Sequence, residues 1–255
     1  MPRISPRLGV VRVDVRADQV PCSDVVLLDS RDSFTFNLAQ CCAELGVDVT
    51  VVDADDPSVA GMVEICRRGR GPAMVMIGPG PRGPQDLPRL QSIVAALDGV
   101  VPLFGVCLGL QVLVTARGGV VGRACAPVHG KRDAIVHDGV GCLSGLPSPL
   151  WVMRYHSLVA TSVPPSFTVT ARDVLGQPMA LRDVDARVEA VQFHPESIGT
   201  AGGLQVLCSA LVGAGVDVRL PPMRSGSVPG PSSCGPRFDD VPTSYEPLTE
   251  RQDTP

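Results

Sequence analysis

Lysine and aromatic residues are scarce in this chain of 255 residues. Lysine occurs once among 22 basic side chains, and aromatic residues make up 4% of the chain. Acidic side chains number 26, so the net charge is −4, and no basic block is present. This charge pattern argues against nucleic acid or an anionic membrane as partner, and it favours a small molecule or another protein.

The chain also lacks the paired CxxC spacing that is typical of zinc sites. Its nine cysteines are scattered and odd in number, which does not suit a disulfide framework either. Charges interrupt residues 1–20 too often for a signal-peptide core, so we expect a cytoplasmic protein. The apolar stretch 99–116 approaches transmembrane length. Pro102 and Gln111 interrupt it, however, so it is better explained as a strand, a turn and a helix.

Apolar runs and helical patterns alternate along the first half of the chain, which is 44% hydrophobic overall. This alternation predicts an α/β fold with a mostly parallel central sheet covered by helices on both faces. After residue 118 short strands separated by turns predict added antiparallel strands around the same core. The predicted strands are 25–29, 47–52, 73–77, 102–106, 133–137, 150–156, 167–173, 178–183 and 188–194. The predicted helices cover 33–45, capped by Asp32 or Ser33 and ended by Gly46, then about 88–97, and a segment after Cys107.

Composition divides the chain into three parts. Residues 25–220 form the predicted domain, and residues 1–24 precede it as an extension without an assigned role. Residues 221–255 are rich in Pro, Ser and Gly and have too few apolar groups to offset the entropy of ordering them. We therefore predict a disordered tail.

A cysteine bracketed by glycines is the main candidate for chemistry. Residues 105–109 read GVCLG, the form of a nucleophile elbow, in which a tight strand-to-helix turn exposes one side chain. Glycine costs roughly 0.5–1 kcal/mol against alanine inside a regular element, so Gly105 and Gly109 indicate either a special backbone conformation or a close approach that a Cβ would forbid. A thiol at a helix N-terminus is favoured as thiolate. The alternative is that Cys107 is a small buried hydrophobic residue.

A nucleophilic thiol needs a base, and the chain holds four histidines. His194 is followed two residues later by Glu196, and on a strand both would point to one side, so the carboxylate could orient the imidazole. His129 and His137 lack ligand-like spacing, so we expect them to make structural hydrogen bonds and expect no metal site.

Six segments together resemble the class I, or triad, glutamine amidotransferases. The segments GVCLGLQ (105–111) and QFHPES (192–197) carry the likeness, and residues 29–38, 77–86, 127–147 and 154–160 extend it. They are similar to the subset that serves chorismate-using enzymes, the small subunit (component II) of anthranilate synthase and of aminodeoxychorismate synthase. The resemblance implies a flavodoxin-like architecture, glutamine as substrate, no cofactor, and a chorismate-binding synthase (component I) as partner chain.

The resemblance also implies a role for each site residue. Cys107 would attack the side-chain amide of glutamine to form a thioester, His194 would pass the proton to the departing ammonia, and Glu196 would orient His194. Backbone N–H groups would bind the oxyanion, and other groups would hold the amino-acid end of the substrate. The residues implied for the oxyanion are Leu108 and the loop Gly80, Pro81 and Arg82, and those for the amino-acid end are Gln111 and the backbone at Ser157 and Leu158.

Two positions depart from the family pattern. Arg82 stands where glycine is usual, and a positive φ there would strain an arginine by roughly 1 kcal/mol or more. Leu110 stands where histidine is common in the anthranilate group, and we interpret it as a packing residue. Three other functions remain open: an amidotransferase for another synthase, a cysteine peptidase or γ-glutamyl hydrolase, and a silent scaffold or regulatory subunit. The sequence does not choose between anthranilate and aminodeoxychorismate as product.

Overall fold

The computed structural model describes residues 11–12, 24–125, 130–219 and 238. The predicted extension and tail therefore lie almost entirely outside the described residues. Within the described ranges, no helix combines the length and the apolar character needed to cross a membrane.

Ten strands form one mixed sheet in the order β1-β3-β2-β4-β5-β12-β11-β10-β7-β8. Neighbours from β1 to β12 in this order run parallel, and those from β12 to β8 run antiparallel. Strands β6 and β9 form a separate antiparallel pair. The strands are β1 Val11–Arg12, β2 Val25–Asp29, β3 Val49–Asp53, β4 Met74–Ile77, β5 Leu103–Val106, β6 Val120–Arg123, β7 Lys131–His137, β8 Leu150–Arg154, β9 Leu158–Ser162, β10 Thr168–Asp173, β11 Pro178–Asp183 and β12 Val188–Val191.

Helices cover both faces of the sheet, as predicted. Successive residues of β2 point to opposite faces. Leu27 belongs to an apolar cluster with α1 and α5, whereas Leu28 belongs to a second cluster with α2, α3 and α4. The helices in the described ranges are α1 Thr35–Glu44, α2 Ser58–Arg67, α3 Pro88–Leu97, α4 Leu108–Ala116 and α5 Gly203–Gly213, with single 3-10 turns at Pro84–Asp86 and Gly141–Leu143. The mostly parallel α/β core with added antiparallel strands is therefore confirmed.

The two glycines around Cys107 let α4 pack directly on the sheet. A Cβ on Gly109 would lie 2.2 Å from the carbonyl oxygen of Ile77 in β4. A Cβ on Gly105 would lie 2.7 Å from the backbone carbon of Gly109. Both glycines are thus required by close approach, as the sequence indicated, and neither has a positive φ.

Several predicted element ends are shifted in the structure, among them the end of β8 at Arg154 where residue 156 was predicted, and two of the shifts bear on the site. Helix α1 begins at Thr35 after Phe34, without a side-chain cap, so the predicted cap at Asp32 or Ser33 is wrong. Asp32 accepts a hydrogen bond from the N–H of Phe34 (2.8 Å) in the preceding turn instead. Strand β12 ends at Val191, because the chain then crosses to the edge of β8, where the N–H of His194 donates to the carbonyl of Met153 (3.0 Å).

Candidate active site

Cys107 lies in the turn between β5 and α4, where its backbone is strained. Its φ of 53° and ψ of −100° are unusual for a residue with a side chain, and such strain persists only where the surrounding structure holds it. The N–H of Cys107 donates to the carbonyl of Val191 (2.8 Å) at the end of the adjacent strand β12. The thiol therefore stands at the N-terminus of α4 and at the carboxyl edge of two parallel strands, as expected for a nucleophile elbow.

His194 and Glu196 form a buried pair just beyond β12. Nδ1 of His194 lies 2.6 Å from Oε1 of Glu196, and because a carboxylate can only accept, Nδ1 carries the proton. The predicted pairing is therefore present, although the two residues lie in a turn and not on a strand. The hydroxyl of Thr200 supports this turn by donating to the carbonyl of His194 (2.6 Å).

The imidazole of His194 is favoured in its charged form. Burial lowers its pKa, but hydrogen bonding and charge interactions with Cys107 and Glu196 outweigh burial and raise the pKa to about 10. Its Nε2 atom is buried and makes no hydrogen bond of good geometry to a described residue. The rings of Phe34 and Tyr155 lie 5.3 and 5.0 Å from the imidazole. This enclosure shields the pair from water.

Two glutamine side chains connect β9 to the thiol. Nε2 of Gln111 donates to the carbonyl of Leu158 (3.1 Å) and to Oε1 of Gln192 (3.3 Å). Nε2 of Gln192 in turn donates to Sγ of Cys107 (3.6 Å). Gln192 was missed in the sequence, and its only signal was its place two residues before His194.

The loop at Gly80 lies against the residue that follows the nucleophile. A Cβ on Gly80 would lie 2.2 Å from Cδ2 of Leu108, so the loop and the start of α4 are in contact. Pro81 and Arg82 are exposed. The described non-glycine residues with positive φ are Arg31, Cys107 and Arg187, so the suggested strain at Arg82 is wrong. Arginine is tolerated there because its backbone lies outside the left-handed region.

The segment Ser157–Leu158 reaches the site from the other side. Ser157 is exposed, and its carbonyl accepts from the N–H of Ala124 (2.9 Å). The carbonyl of Leu158 accepts from both Gln111 and Nδ1 of His156 (2.9 Å), which engages both of its lone pairs. The loop, the thiol and this segment thus border one region.

The sequence profile described as Glutamine amidotransferase class-I matches residues 26–214, most of the chain and all of the site residues described above. The chain belongs to the class-I glutamine amidotransferase family.

Relatives of this amidotransferase include chains of two-component synthases. The aminodeoxychorismate/anthranilate synthase component 2 of Bacillus subtilis (strain 168) is 40% identical over 185 residues, which cover 72% of this chain and 93% of the relative. The aminodeoxychorismate synthase component 2 of Escherichia coli (strain K12) is 40% identical, with coverages of 73% and 98%. The anthranilate synthase component 2 of Mycobacterium tuberculosis (strain ATCC 25618 / H37Rv) is 39% identical, with coverages of 75% and 82%.

Among solved structures, a putative GMP synthase subunit from Thermoplasma acidophilum has the same fold. Its TM-score is 0.67 at 21% identity, and the match covers 77% of this chain and 96% of that chain. At this identity the likeness supports the amidotransferase fold alone.

Several other described cysteines of the amidotransferase have a raised pKa. Burial raises the pKa of Cys41 to about 11 and that of Cys42 to about 12. Burial also raises the pKa of Cys142 and, less strongly, of Cys208. These thiols therefore stay protonated at neutral pH.

His137 makes structural hydrogen bonds, as predicted. Its Nδ1 accepts from the N–H of Gly139 (3.1 Å), so Nε2 carries the proton and donates to the carbonyl of Pro147 (3.0 Å). His129 lies outside the described residues. In the described parts of the amidotransferase, no three His, Cys, Asp or Glu side chains are arranged to hold a metal ion.

Proposed function

We propose that this chain is the glutaminase subunit of a chorismate-using synthase. It hydrolyses glutamine through a cysteinyl thioester and passes ammonia to a separate synthase chain, with anthranilate or 4-amino-4-deoxychorismate as product. The observation that carries the proposal is the buried His194–Glu196 pair, whose imidazole interacts with Cys107 at the end of two parallel strands. The names of the relatives supply the synthase class.

The reaction follows from the protonation states at the site. The thiolate of Cys107 attacks the side-chain amide carbon of glutamine, and the carbonyl oxygen becomes an oxyanion. His194 gives its Nε2 proton to the leaving nitrogen, which departs as ammonia and leaves the thioester. His194 then takes a proton from water, which attacks the thioester and releases glutamate. Glu196 keeps Nδ1 protonated, so Nε2 is the atom that exchanges protons.

The oxyanion is stabilised by backbone N–H groups. The N–H of Leu108 begins α4, where the helix leaves N–H groups unpaired and its dipole is positive. The loop Gly80-Pro81-Arg82 lies against Leu108 at Gly80, which has no side chain to block the approach. Its further N–H donors are those of Gly80 and Arg82, because proline has no backbone N–H.

Gln111 binds the amino-acid end of glutamine through its side-chain oxygen. Both hydrogens of its amide group are used by Leu158 and Gln192. Its oxygen therefore remains for the substrate, and an acceptor suits the α-ammonium group. The backbone at Ser157 and Leu158 completes this end of the site. Because the Leu158 carbonyl is engaged, the N–H side of the segment and the exposed Ser157 hydroxyl are available to the α-carboxylate.

The synthase chain would contact the loop that carries the base. Ile198 follows Glu196 by two residues and is fully exposed, and Trp151 on β8 is half-exposed. The N–H of Ala201, in the same loop, donates to the carbonyl of Trp151 (2.8 Å). Exposed apolar side chains beside a reaction centre are typical of an interaction surface.

The proposal extends to the organisation and location of the chain. We assign the amidotransferase domain to residues 25–220, which contain the residues matched to the family, with 1–24 as an extension and 221–255 as a tail. We place the complex in the cytoplasm, as the scattered cysteines indicate. A silent subunit is disfavoured, since Arg82, the residue that raised this alternative, is not strained.

The decisive variant is Cys107→Ala, assayed in complex with each candidate synthase, anthranilate or aminodeoxychorismate. Glutamine-dependent product formation should fall by about a thousandfold or more, because the thioester can no longer form. Ammonia-dependent formation should stay near the wild-type rate, because free ammonia bypasses this chain. Cys208→Ala, at a partly exposed cysteine of α5, is the matched control and should leave both activities unchanged.

Two results would contradict the proposal. Glutamine-dependent activity retained by Cys107→Ala would exclude the thiol as nucleophile. Wild-type chain that supports no glutamine-dependent synthesis with either synthase would exclude the chorismate assignment.

A further inference from the structure

We propose that Gln192 is a further catalytic residue of this amidotransferase, which stabilises the thiolate of Cys107 by a carboxamide hydrogen bond. The proposal rests on the proposed function in that Cys107 is the nucleophile. Gln192 is fully buried, and its Nε2 atom lies 3.6 Å from Sγ, an ordinary distance for an N–H donor to sulfur. A hydrogen bond to a charged acceptor is stronger than one to a neutral acceptor, so the contact favours thiolate over thiol.

The orientation of the Gln192 amide follows from a backbone group. The nitrogen and oxygen of an amide side chain are otherwise hard to tell apart. The carbonyl of Leu158 can only accept, so the atom of Gln111 facing it is the nitrogen. The same nitrogen faces Gln192 at 3.3 Å, so Gln192 presents its oxygen there. The NH2 group of Gln192 must then point to Cys107.

The carbonyl of Leu158 is itself positioned by a series of hydrogen bonds that begins at the buried guanidinium group of Arg154. Nε2 of His156 accepts from Nε of Arg154 (3.1 Å), so its proton is on Nδ1, which donates to Leu158. Arg154 is 2% exposed, and its Nη1 atom donates to Asp133 and to Asp173 (2.9 Å to the latter). Arg154, His156 and Gln111 are therefore positioning residues, because each acts through the next.

In this arrangement Gln192 stabilises the thiolate, and His194 transfers the proton. A carboxamide does not release its proton at neutral pH, so Gln192 can stabilise the thiolate without competing for the proton that His194 must move. Gln192 and His194 lie two residues apart on the segment that leaves β12, and both side chains interact with Cys107. Loss of Gln192 should therefore reduce thiolate formation while His194 and Glu196 stay in place.

The test is the pH dependence of the rate at which iodoacetamide alkylates Cys107 in the full chain, measured by mass spectrometry. It compares the wild type with Gln192→Met and Gln192→Glu. Methionine has similar length and no donor, so the rate at pH 7 should fall about tenfold and the midpoint should rise by about one pH unit. The rate at high pH, where every thiol is ionised, should match the wild type. Glutamate places a negative charge at Sγ, so its midpoint should rise further. Gln205→Met, at an exposed position of α5, should reproduce the wild-type profile.

Two outcomes would contradict the proposal. A wild-type profile in both Gln192 variants would show that the contact has no effect on the thiol. An equal loss of rate at all pH values, together with a lowered melting temperature, would show a purely structural role. In complex with the synthase, kcat for glutamine should fall more than KM changes. A shifted alkylation profile in a chain without glutaminase activity would instead refute the proposed function and leave the role of Gln192 standing.

Discussion

Cys107 is distinguished from the other cysteines by its contacts and not by its residue type. Its side chain meets a donor from Gln192 and lies beside His194, whereas the deeply buried Cys42 contacts the sulfur of Met76. Burial without such partners raises the pKa of a thiol, as it does for Cys42. The same small side chain therefore serves as core packing at one position and as a candidate nucleophile at the other.

The charge of His194 can be measured directly. With a pKa of about 10, its imidazole should stay protonated from pH 6 to pH 9 in an NMR titration of labelled histidine. In Cys107→Ala the interaction of the imidazole with the sulfur is lost while burial remains, so the pKa of His194 should fall. The chain has four histidines, and His194→Gln assigns the signal. An identical titration in wild type and Cys107→Ala would show that the thiol does not interact with the imidazole.

Helix α4 is the element that places the nucleophile, and its position depends on glycine. The helix rests against the backbone of β4 at Gly109 and against its own preceding strand at Gly105. Because the contacting atoms belong to the backbone and not to flexible side chains, neither element can move away without a large cost in free energy. The approach also explains why the turn at Cys107 is tight enough to need a positive φ.

Gly109→Ala should destabilise the fold and impair catalysis together. The added methyl group would overlap the carbonyl of Ile77, and overpacking of this kind costs about 1–3 kcal/mol of unfolding free energy. Gly213→Ala is the matched control at the end of α5, where a Cβ would meet nothing within 4 Å. It should be neutral or stabilise by up to about 1 kcal/mol. Chemical denaturation compares the two, and equal stabilities would show that α4 shifts without cost.

At the scale of the whole molecule, the two halves of the sheet supply different parts of the site. The parallel half carries Cys107 between β5 and α4. The antiparallel half carries Arg154 on β8 and Asp173 on β10, and the His194 loop is fastened to the edge of β8. Since β12 joins the halves, its end is where nucleophile and base meet.

Removal of residues 225–255 should leave this assembly intact. The segment is poor in apolar groups, so we expect the melting temperature to change by less than about 3 °C, which corresponds to about 1 kcal/mol in a domain of this size. Glutamine-dependent activity with the synthase should also be retained. A fall of many degrees in calorimetry would show that the tail packs against the domain.

Local pattern was sufficient for most strands of the sheet and for the choice of the candidate site residues, but it did not predict α2, α5, β6 or β9. The apolar runs at 25–29 and 73–77 predicted β2 and β4 to within one residue. A strand that is covered by helices on both faces buries every side chain, so its sequence is a continuous apolar run. Gly105 and Gly109 marked Cys107, since two glycines in an apolar run indicate a special backbone conformation or a close approach, and the structure shows the close approach. His194 and Glu196 were found because the carboxylate and the imidazole are neighbours in the chain.

Contacts between distant segments were decided only by the tertiary structure. Gln192 and Cys107 are 85 residues apart, and their hydrogen bond depends on β12 lying beside β5 in a particular register. The relaxed backbone at Arg82 and the ion pairs of Arg154 likewise depend on how loops and strands meet. The sequence alone marked Cys107, His194 and Glu196 as candidates for the chemistry and did not mark Gln192. Strand register decided which of them touch, because a shift of one residue turns every side chain to the opposite face.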